Sequence, residues 1–376
     1  MMAGPLEGLK LIEMAGIGPC PLAGQLMADL GAEVIVIDRA SGGERPNDVA
    51  NRGKRSVALN LKTPGGVEAA LKLIDGADAL IEGFRPGVME KLGLGPETCH
   101  ARNPGLVYGR MTGWGQEGPW SQMAGHDLNY LSLTGALGMM GRKDQPPTPP
   151  LNLVADYGGG TMFLIFGVLS ALWERGRSGK GQVIDSAMID GVSAMTGIFR
   201  NLMNAGAWVE ERESNMLDGG ASYYRCYETS DGKYVSVGCL EPQFFAIMVE
   251  KCGFPEDHRK DQTSKATWAA RAEEYAKVFK SKTRDQWMEI FEGTDACIAP
   301  VLTPSEAEAH PHNVARGAYL DIAGKAQPAP APRFDRTPWT APAPATPMGA
   351  DTDAALAEAG LSAAEIASLR EAGALN

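Results

Sequence analysis

The sequence predicts an α/β chain, with a large unit built on a parallel sheet and a smaller α+β unit after it. Three observations predict this class. The chain opens strand–helix–strand. Helices and strands then alternate as far as residue 188, and beyond residue 215 the pattern changes to a hairpin with short helices. At 376 residues the chain is long enough for two packed units, each with its own core.

"LKLIEM" (9–14) reads as a buried strand, because it is a short apolar run that ends at the Gly/Pro turn "AGIGPCPLAG" (15–24). A short helix over 22–32 and the strand "EVIVID" (33–38) complete a β-α-β unit, which favours parallel pairing. Residues 66–84 repeat helix then strand, and 106–115 supply another strand. A helix over 159–174, a strand over 181–188 and a helix over 189–206 follow. Residues 215–224 read as a linker. From 223 to 240, two alternating strands flank Ser230, Asp231 and Gly232, which signals a hairpin. Helices are expected at 242–252, 266–281 and 283–293, with one more strand at 297–302. Thr283 with Gln286 and Thr303 with Glu306 are capping boxes. The Pro- and Ala-rich stretch 326–348 should run extended over the surface, before two short helices of which the second is capped by Ser362 and Glu365.

Composition narrows the function. With 44% hydrophobic and 22% charged residues, the chain is an ordinary soluble globular protein. A net charge of −11 argues against general nucleic-acid binding, which needs a basic surface. The six cysteines form no C-x-x-C pair, which fits a reducing compartment and packed thiols better than disulfides or zinc. No secretory signal is visible at the start, and the apolar run 161–173 is too short to span a bilayer. A cytoplasmic protein without a membrane span is expected.

Gly16 and Gly18 follow the first strand and Asp38 ends the second, a partial dinucleotide fingerprint. The full G-x-G-x-x-G fails, because Pro21 stands where the third glycine belongs. Residues 39–62 are locally basic, with Arg39, Arg45, Arg52, Lys54, Arg55 and Lys62 against Glu44 and Asp48. Such a run is often only a solvated face. Arg85, in "EGFRPG" at the end of another strand, favours a phosphorylated nucleotide carrier instead. Ligands of open α/β sheets lie at the carboxyl ends of strands, where arginines can hold phosphates bidentately.

Eight blocks occur in one order: "GADALIEGFRPGVMEKLGLG", "MTGWGQEGP", "AGHDLNY", "PLNLVADYGGG", "WERGRSGKGQVIDSAMIDG", "NMLDGGASYY", "VGCLEPQF" and "DACIAPVL". On these, the chain resembles the family III CoA transferases (the CaiB/BaiF superfamily) over nearly its whole length, and within them the branch of 2-methylacyl-CoA racemases. The resemblance implies a Rossmann-like large domain and an interlocked homodimer. By it, the large domain takes residues 1–205 and is completed by 326–376. A linker (206–222), a small α+β domain (223–305) and a return segment (306–325) lie between. It implies an active site between the large domain of one subunit and the small domain of the other.

Carried over by position, the CoA contacts would be Arg39; Leu59, Asn60, Leu61 and Lys62; Gly83, Phe84, Arg85, Pro86 and Gly87; and Gly125, Leu128, Asn129 and Tyr130. Lys91 stands where the racemases tend to have Arg, which keeps the charge and loses the bidentate fork. CoA is part of the substrate, so neither a separate cofactor nor a metal is expected.

The hydrogen beside a thioester carbonyl is a very weak acid, and its removal needs a placed base and a group to hold the enolate oxygen. Racemisation needs one proton carrier on each face. The resemblance assigns these roles to His126 and Asp156. Asp156 must then be protonated while His126 is the base, which requires a raised pKa, and the two should titrate as a coupled pair. Asp127 would offer its backbone N–H to the developing anion, or its carboxylate would cap its own helix. Glu241 matches the glutamate that hydrogen-bonds the catalytic histidine, although a Glu before Pro at a helix start is by itself more often a cap. An Asp ahead of a glycine run is likewise often an N-cap, and in the transferases the residue at 156 is the nucleophile that forms a mixed anhydride. Asp156 as that nucleophile is the alternative function. The "GHD" of residues 125–127 favours the racemase, which would interconvert the (2R) and (2S) thioesters. Met111, Met139, Met140, Met188, Met195 and Met216 are candidates for a methionine surface under the acyl chain, since methionine adapts to varied apolar ligands.

Overall fold

A computed structural model describes residues 4–45 and 48–375. The chain divides into two compact units: Met1–Thr134, Pro150–Met195 and Pro311–Asn376 in the first, Gly135–Pro149 and Thr196–His310 in the second.

The first unit is built on strands β1 (Lys10–Met14), β2 (Glu33–Arg39), β3 (Arg55–Leu59), β4 (Ala79–Glu82), β5 (Val107–Thr112) and β6 (Val183–Ala187). They form one six-stranded sheet in the order β3-β2-β1-β4-β5-β6, parallel throughout. This is the doubly wound order, in which the crevice opens where the strand order reverses, between β1 and β4. Helices α1 (Pro19–Asp29), α2 (Pro64–Asp75), α3 (Val88–Lys91), α4 (Pro96–Arg102) and α5 (Asp127–Leu133) connect or follow the strands. Ile12, Ile35, Val57, Leu80 and Tyr108 from five adjacent strands share one core with Ala70 and Ile74 of α2.

Strand β3 lies inside the basic stretch, where charge hid its apolar residues. The cations there are mostly paired. Arg52 holds Asp29 with both members buried, Lys54 holds Glu13, Arg55 holds Glu33 and Glu358, and Arg45 pairs with Asp38. The expected basic face therefore shrinks. Arg39 and Lys62 of that run carry no ion pair among the described residues.

The helix expected at 159–174 begins earlier, as a π-helical segment Leu153–Met162 that continues into α6 (Phe163–Ser178). Glycines explain its position. A Cβ on Gly159 would lie 2.8 Å from the Val192 nitrogen, and one on Gly191 would lie 2.0 Å from the Gly159 oxygen. The segment thus packs backbone to backbone on α7 (Met188–Met195). An 18-residue window of the combined run Leu153–Ser178 has a mean hydropathy of 1.4, and the run is long and apolar enough to cross a membrane by length and composition. Its Leu164, Val168 and Ala171 are nonetheless buried in the fold, and Arg175 near its end pairs with Asp78.

The helix expected over 189–206 breaks at Thr196, where the second unit begins with α8 (Gly197–Asn204). Strands β7 (Tyr224–Glu228), β8 (Tyr234–Gly238) and β9 (Ile298–Val301) form its antiparallel sheet. Helices α9 (Pro242–Cys252), α10 (Lys265–Phe279) and α11 (Arg284–Phe291) supply Phe245, Tyr275 and Trp287 to its core. The capping boxes of Thr283 and Thr303 form as expected. Residues 135–149 belong with this unit, which nothing in their composition announces. The returning segment adds a hairpin, Tyr319–Ile322 with Lys325–Pro328, that the Pro- and Ala-rich composition concealed.

The Lys54–Glu13 pair tests this packing. Lys54 Nζ donates to Glu13 Oε2 at 2.6 Å and to the carbonyl of Pro21, in the first turn of α1, at 2.8 Å. Removing one partner leaves an uncompensated buried charge, at a cost of about 3–5 kcal/mol. Lys54→Met should lower the denaturation midpoint sharply, and adding Glu13→Gln should recover most of the loss in urea titrations.

Candidate active site

A cavity of about 630 Å³ opens in the first unit at the carboxyl ends of its strands. Ile17 and Gly18 follow β1, residues 83–86 follow β4, Thr112 ends β5 with Gly113 and Trp114 after it, and Met188 follows β6; all line it. His126, Tyr130 and Asp156 complete the wall.

Each side chain is positioned by its local sequence. His126 is the N-cap residue of α5, in an extended conformation. Its N–H donates to Asn129 Oδ1 at 3.1 Å, and its carbonyl accepts from the Asn129 N–H at 2.8 Å, so Asn129 closes the first turn around it. Tyr130 fixes the loop before it by donating its hydroxyl hydrogen to the Gly125 carbonyl. Its ring meets Trp114 edge to face, with centroids 4.7 Å apart. That ring fills space a side chain would need: a Cβ on Gly113 would lie 1.9 Å from it.

Asp127 is the central finding. Its carboxylate is buried and does not cap its own helix. Instead Oδ2 accepts both the Ala155 N–H at 2.7 Å and the Asp156 N–H at 2.8 Å, at the start of the π-helical segment. Oδ1 is buried with no hydrogen-bond partner among the described residues. Asp127 thus ties the start of α5, beside His126, to the backbone of Asp156.

Asp156 lies within the helical segment rather than at its cap, half-buried, and its Oδ2 would be 3.7 Å from a Cβ on Gly18. Burial raises its pKa above the ordinary aspartate range, and the neighbouring Asp127 charge raises it further. A hydrogen bond from Asn152 and the proximity of His126 oppose both. The Tyr130 hydroxyl is also pushed up, by burial and then by Asp156, while Arg85 pulls it down.

Gly83, Phe84, Arg85, Pro86, Gly125 and Tyr130 of the expected CoA contacts line this cavity. Arg39 ends β2 beside Leu59, and both lie outside the cavity lining. The Leu59 side chain belongs to the core and Leu61 packs against it, so neither side chain is free for a ligand. Asn60 is engaged with the C-terminal segment, donating to the Gly373 carbonyl at 3.0 Å, and its Oδ1 accepts the Lys62 N–H at 3.2 Å. Gly87 takes a left-handed φ of 86° to start α3, which Lys91 ends, exposed. Leu128 is exposed, and Asn129 borders a smaller apolar pocket with Trp114, Trp120 and Leu133. Glu241 belongs to the second unit, exposed at the N-cap of α9, where its side chain does not cap. Of the candidate methionines, Met111 and Met188 line the cavity, Met195 packs near Gly158, and Met139, Met140 and Met216 fall in the second unit. The sequence reading missed Trp114, Asn152 and Ile17, and no local pattern marks them.

This site and sheet have counterparts in known proteins. The chain is 44% identical over 366 residues to the alpha-methylacyl-CoA racemase of Mus musculus, covering 97% of this chain and 96% of that protein. It is 40% identical over 363 residues to the Homo sapiens protein of the same name, at 96% and 95% coverage. A crystal structure of a CAIB/BAIF family protein from Brucella suis superposes with a TM-score of 0.82 at 29% identity, covering 95% of this chain and 100% of that one. The profile of CoA-transferase family III matches residues 6–352. With sequence, fold and family profile agreeing over nearly the whole chain, this protein belongs to CoA-transferase family III.

Proposed function

We propose that the protein is a racemase of 2-methylacyl-CoA thioesters, moving the α-proton between faces through an enolate. The observation that carries this is the meeting of His126 and Asp156 in one cavity, with Asp127 between them. Removal of the proton by one group and its return by the other requires one to start protonated, and the raised pKa of Asp156 suits it to be the acid when His126 is the base. The enolate oxygen would meet the Asp127 N–H at the start of α5. Arg85, on the cavity wall after β4, and Arg39, at the end of β2 on the other side of β1, would meet the phosphates of CoA, with Lys62 and Lys91 further along. Glu241 of a second subunit would orient His126. The transferase alternative needs Asp156 ionised as a nucleophile, which its burial and the Asp127 charge both oppose.

The decisive assay is wash-in of deuterium at the α-carbon from heavy water, with no acceptor acid present. Racemisation with exchange is expected. Stereochemically unchanged, deuterium-free thioester together with CoA transfer to added carboxylates would overturn the proposal. His126→Ala and Asp156→Ala should each slow racemisation by roughly 10²–10⁴-fold and leave residual exchange of opposite stereochemical preference.

The same reading includes a homodimer. On α6, Phe166 is 69% and Trp173 75% exposed, and Met162 and Leu169 are exposed nearby, an apolar surface that suits a second copy of the chain. Sedimentation should give a dimer, and Phe166→Glu with Trp173→Glu should give monomer. A monomeric wild type at micromolar concentration would contradict it.

A further inference from the structure

Beneath the cavity lip lies a buried group that the reaction does not use. Glu82 ends β4, and its side chain is almost completely buried. Its Oε2 accepts the Phe84 N–H at 2.7 Å, and its Oε1 accepts from Arg110 Nε at 3.1 Å. Arg110 is the cross-strand neighbour of Glu82 on β5. Its remaining nitrogens hold Glu90 of α3 in a two-point contact, Nη1 to Oε1 at 2.8 Å and Nη2 to Oε2 at 3.2 Å. A chain of charged hydrogen bonds therefore runs from the turn after β4, through Glu82 and Arg110, to the helix on the turn's far side.

That turn, residues 83–86, carries Phe84 and Arg85 to the cavity wall. Burying a carboxylate and a guanidinium costs more than packing apolar side chains of the same size, so such a chain is best explained by the geometry it enforces. An arginine on a loose turn would spend binding energy on its own ordering; on a turn fixed at both ends it would not.

We infer that Glu82 is a positioning residue for substrate binding: it fixes the 83–86 turn, and through it Arg85, for the anionic part of the ligand. This rests on the reading that Arg85 meets a CoA ester. The ionised carboxylate makes the stronger contacts to Phe84 and Arg110. Burial raises its pKa to about 7, against the pull of the Phe84 N–H and Arg110. Its charged and titratable neighbours are Arg110 and Tyr108 on β5, Glu90 on α3, and Cys20 on α1, which also senses Glu13 and Lys54. Burial pushes Tyr108 and Cys20 up and so keeps both neutral near pH 7, while Glu90 is held low by Arg110 and backbone N–H groups and stays ionised. As pH falls through about 7, Glu82 gains its proton, the turn loosens, and affinity for the ligand falls.

The test compares full-length wild type with Glu82→Gln. Calorimetry with free CoA should show a Kd raised about tenfold in the variant, the size expected for losing one charge-assisted contact. The Michaelis constant for 2-methylacyl-CoA should rise in parallel, with kcat for proton exchange within about twofold. Wild-type affinity for CoA should weaken more steeply than the variant's as pH falls through about 7, the variant keeping only the pH dependence of the CoA phosphate itself. Amide hydrogen exchange over 83–87 should be faster in the variant. Unchanged CoA affinity with an unchanged exchange rate in the turn would overturn the inference. So would amide exchange over 83–87 in the wild type as fast as in an unstructured chain, which decides the matter even if the variant does not fold. CoA binding without proton exchange in the wild type would instead overturn the racemase assignment, leaving Glu82 to be judged on Kd.

Discussion

The Asp127 carboxylate, set against the N–H groups of Ala155 and Asp156, is the contact on which the site depends. It spans 28 and 29 residues of chain and joins the two segments that carry His126 and Asp156. Hydrogen bonds to a charged acceptor are worth roughly 1.5–3 kcal/mol each, enough to hold this geometry against thermal motion. The same charge acts on the Asp156 side chain and helps to keep its proton on. One buried group therefore sets the position of the proposed acid and adds to what burial does to its protonation. Its second oxygen is buried with no hydrogen-bond partner among the described residues.

The scaffold makes this contact possible. The sheet order places the ends of β1, β4 and β5 side by side, so that three turns far apart in sequence share one cavity. Close backbone packing at Gly159 and Gly191 then presses the π-helical segment onto α7 and fixes the depth at which Asp156 sits. A π-helical turn offers one residue more than an α-helical turn over the same rise, a form that recurs at functional sites. Tyr130, wedged where Gly113 and Gly125 leave room, holds the loop before His126 from the other side. Glu82 serves the binding end of the cavity as Asp127 serves the reacting end: each is a buried carboxylate that accepts backbone N–H groups.

Much of this was legible in the sequence. Apolar runs bounded by glycine and proline located β1, β2, β4 and β5, and the capping boxes at Thr283, Thr303 and Ser362 form as written. Strand β3 was hidden because Arg52, Lys54 and Arg55 read as a charged surface, whereas their partners Asp29, Glu13 and Glu33 lie on other elements. Pairing across such distances leaves no local pattern. The same holds for the break at Thr196 and for the placement of residues 135–149, which tertiary contacts decide. At the site, His126 and Asp156 were legible through the blocks around them. The role of the Asp127 carboxylate was not, because a cap is expected for its own helix and its acceptor contacts are made to another.

Asp127 thus holds Asp156 in place and joins burial in keeping it protonated. The most direct measurement is the pH dependence of kcat for proton exchange in Asp127→Asn, taken in the direction where His126 is the base. Activity in that direction needs the one proton that the His126–Asp156 pair shares, and is lost on either side of the pH range in which the pair holds it. Removing the Asp127 charge weakens proton binding by Asp156, so the whole profile should move to lower pH, with the asparagine oxygen still able to accept the Ala155 and Asp156 N–H groups. A profile that stays where it is in the wild type, in a variant of unchanged fold, would contradict this.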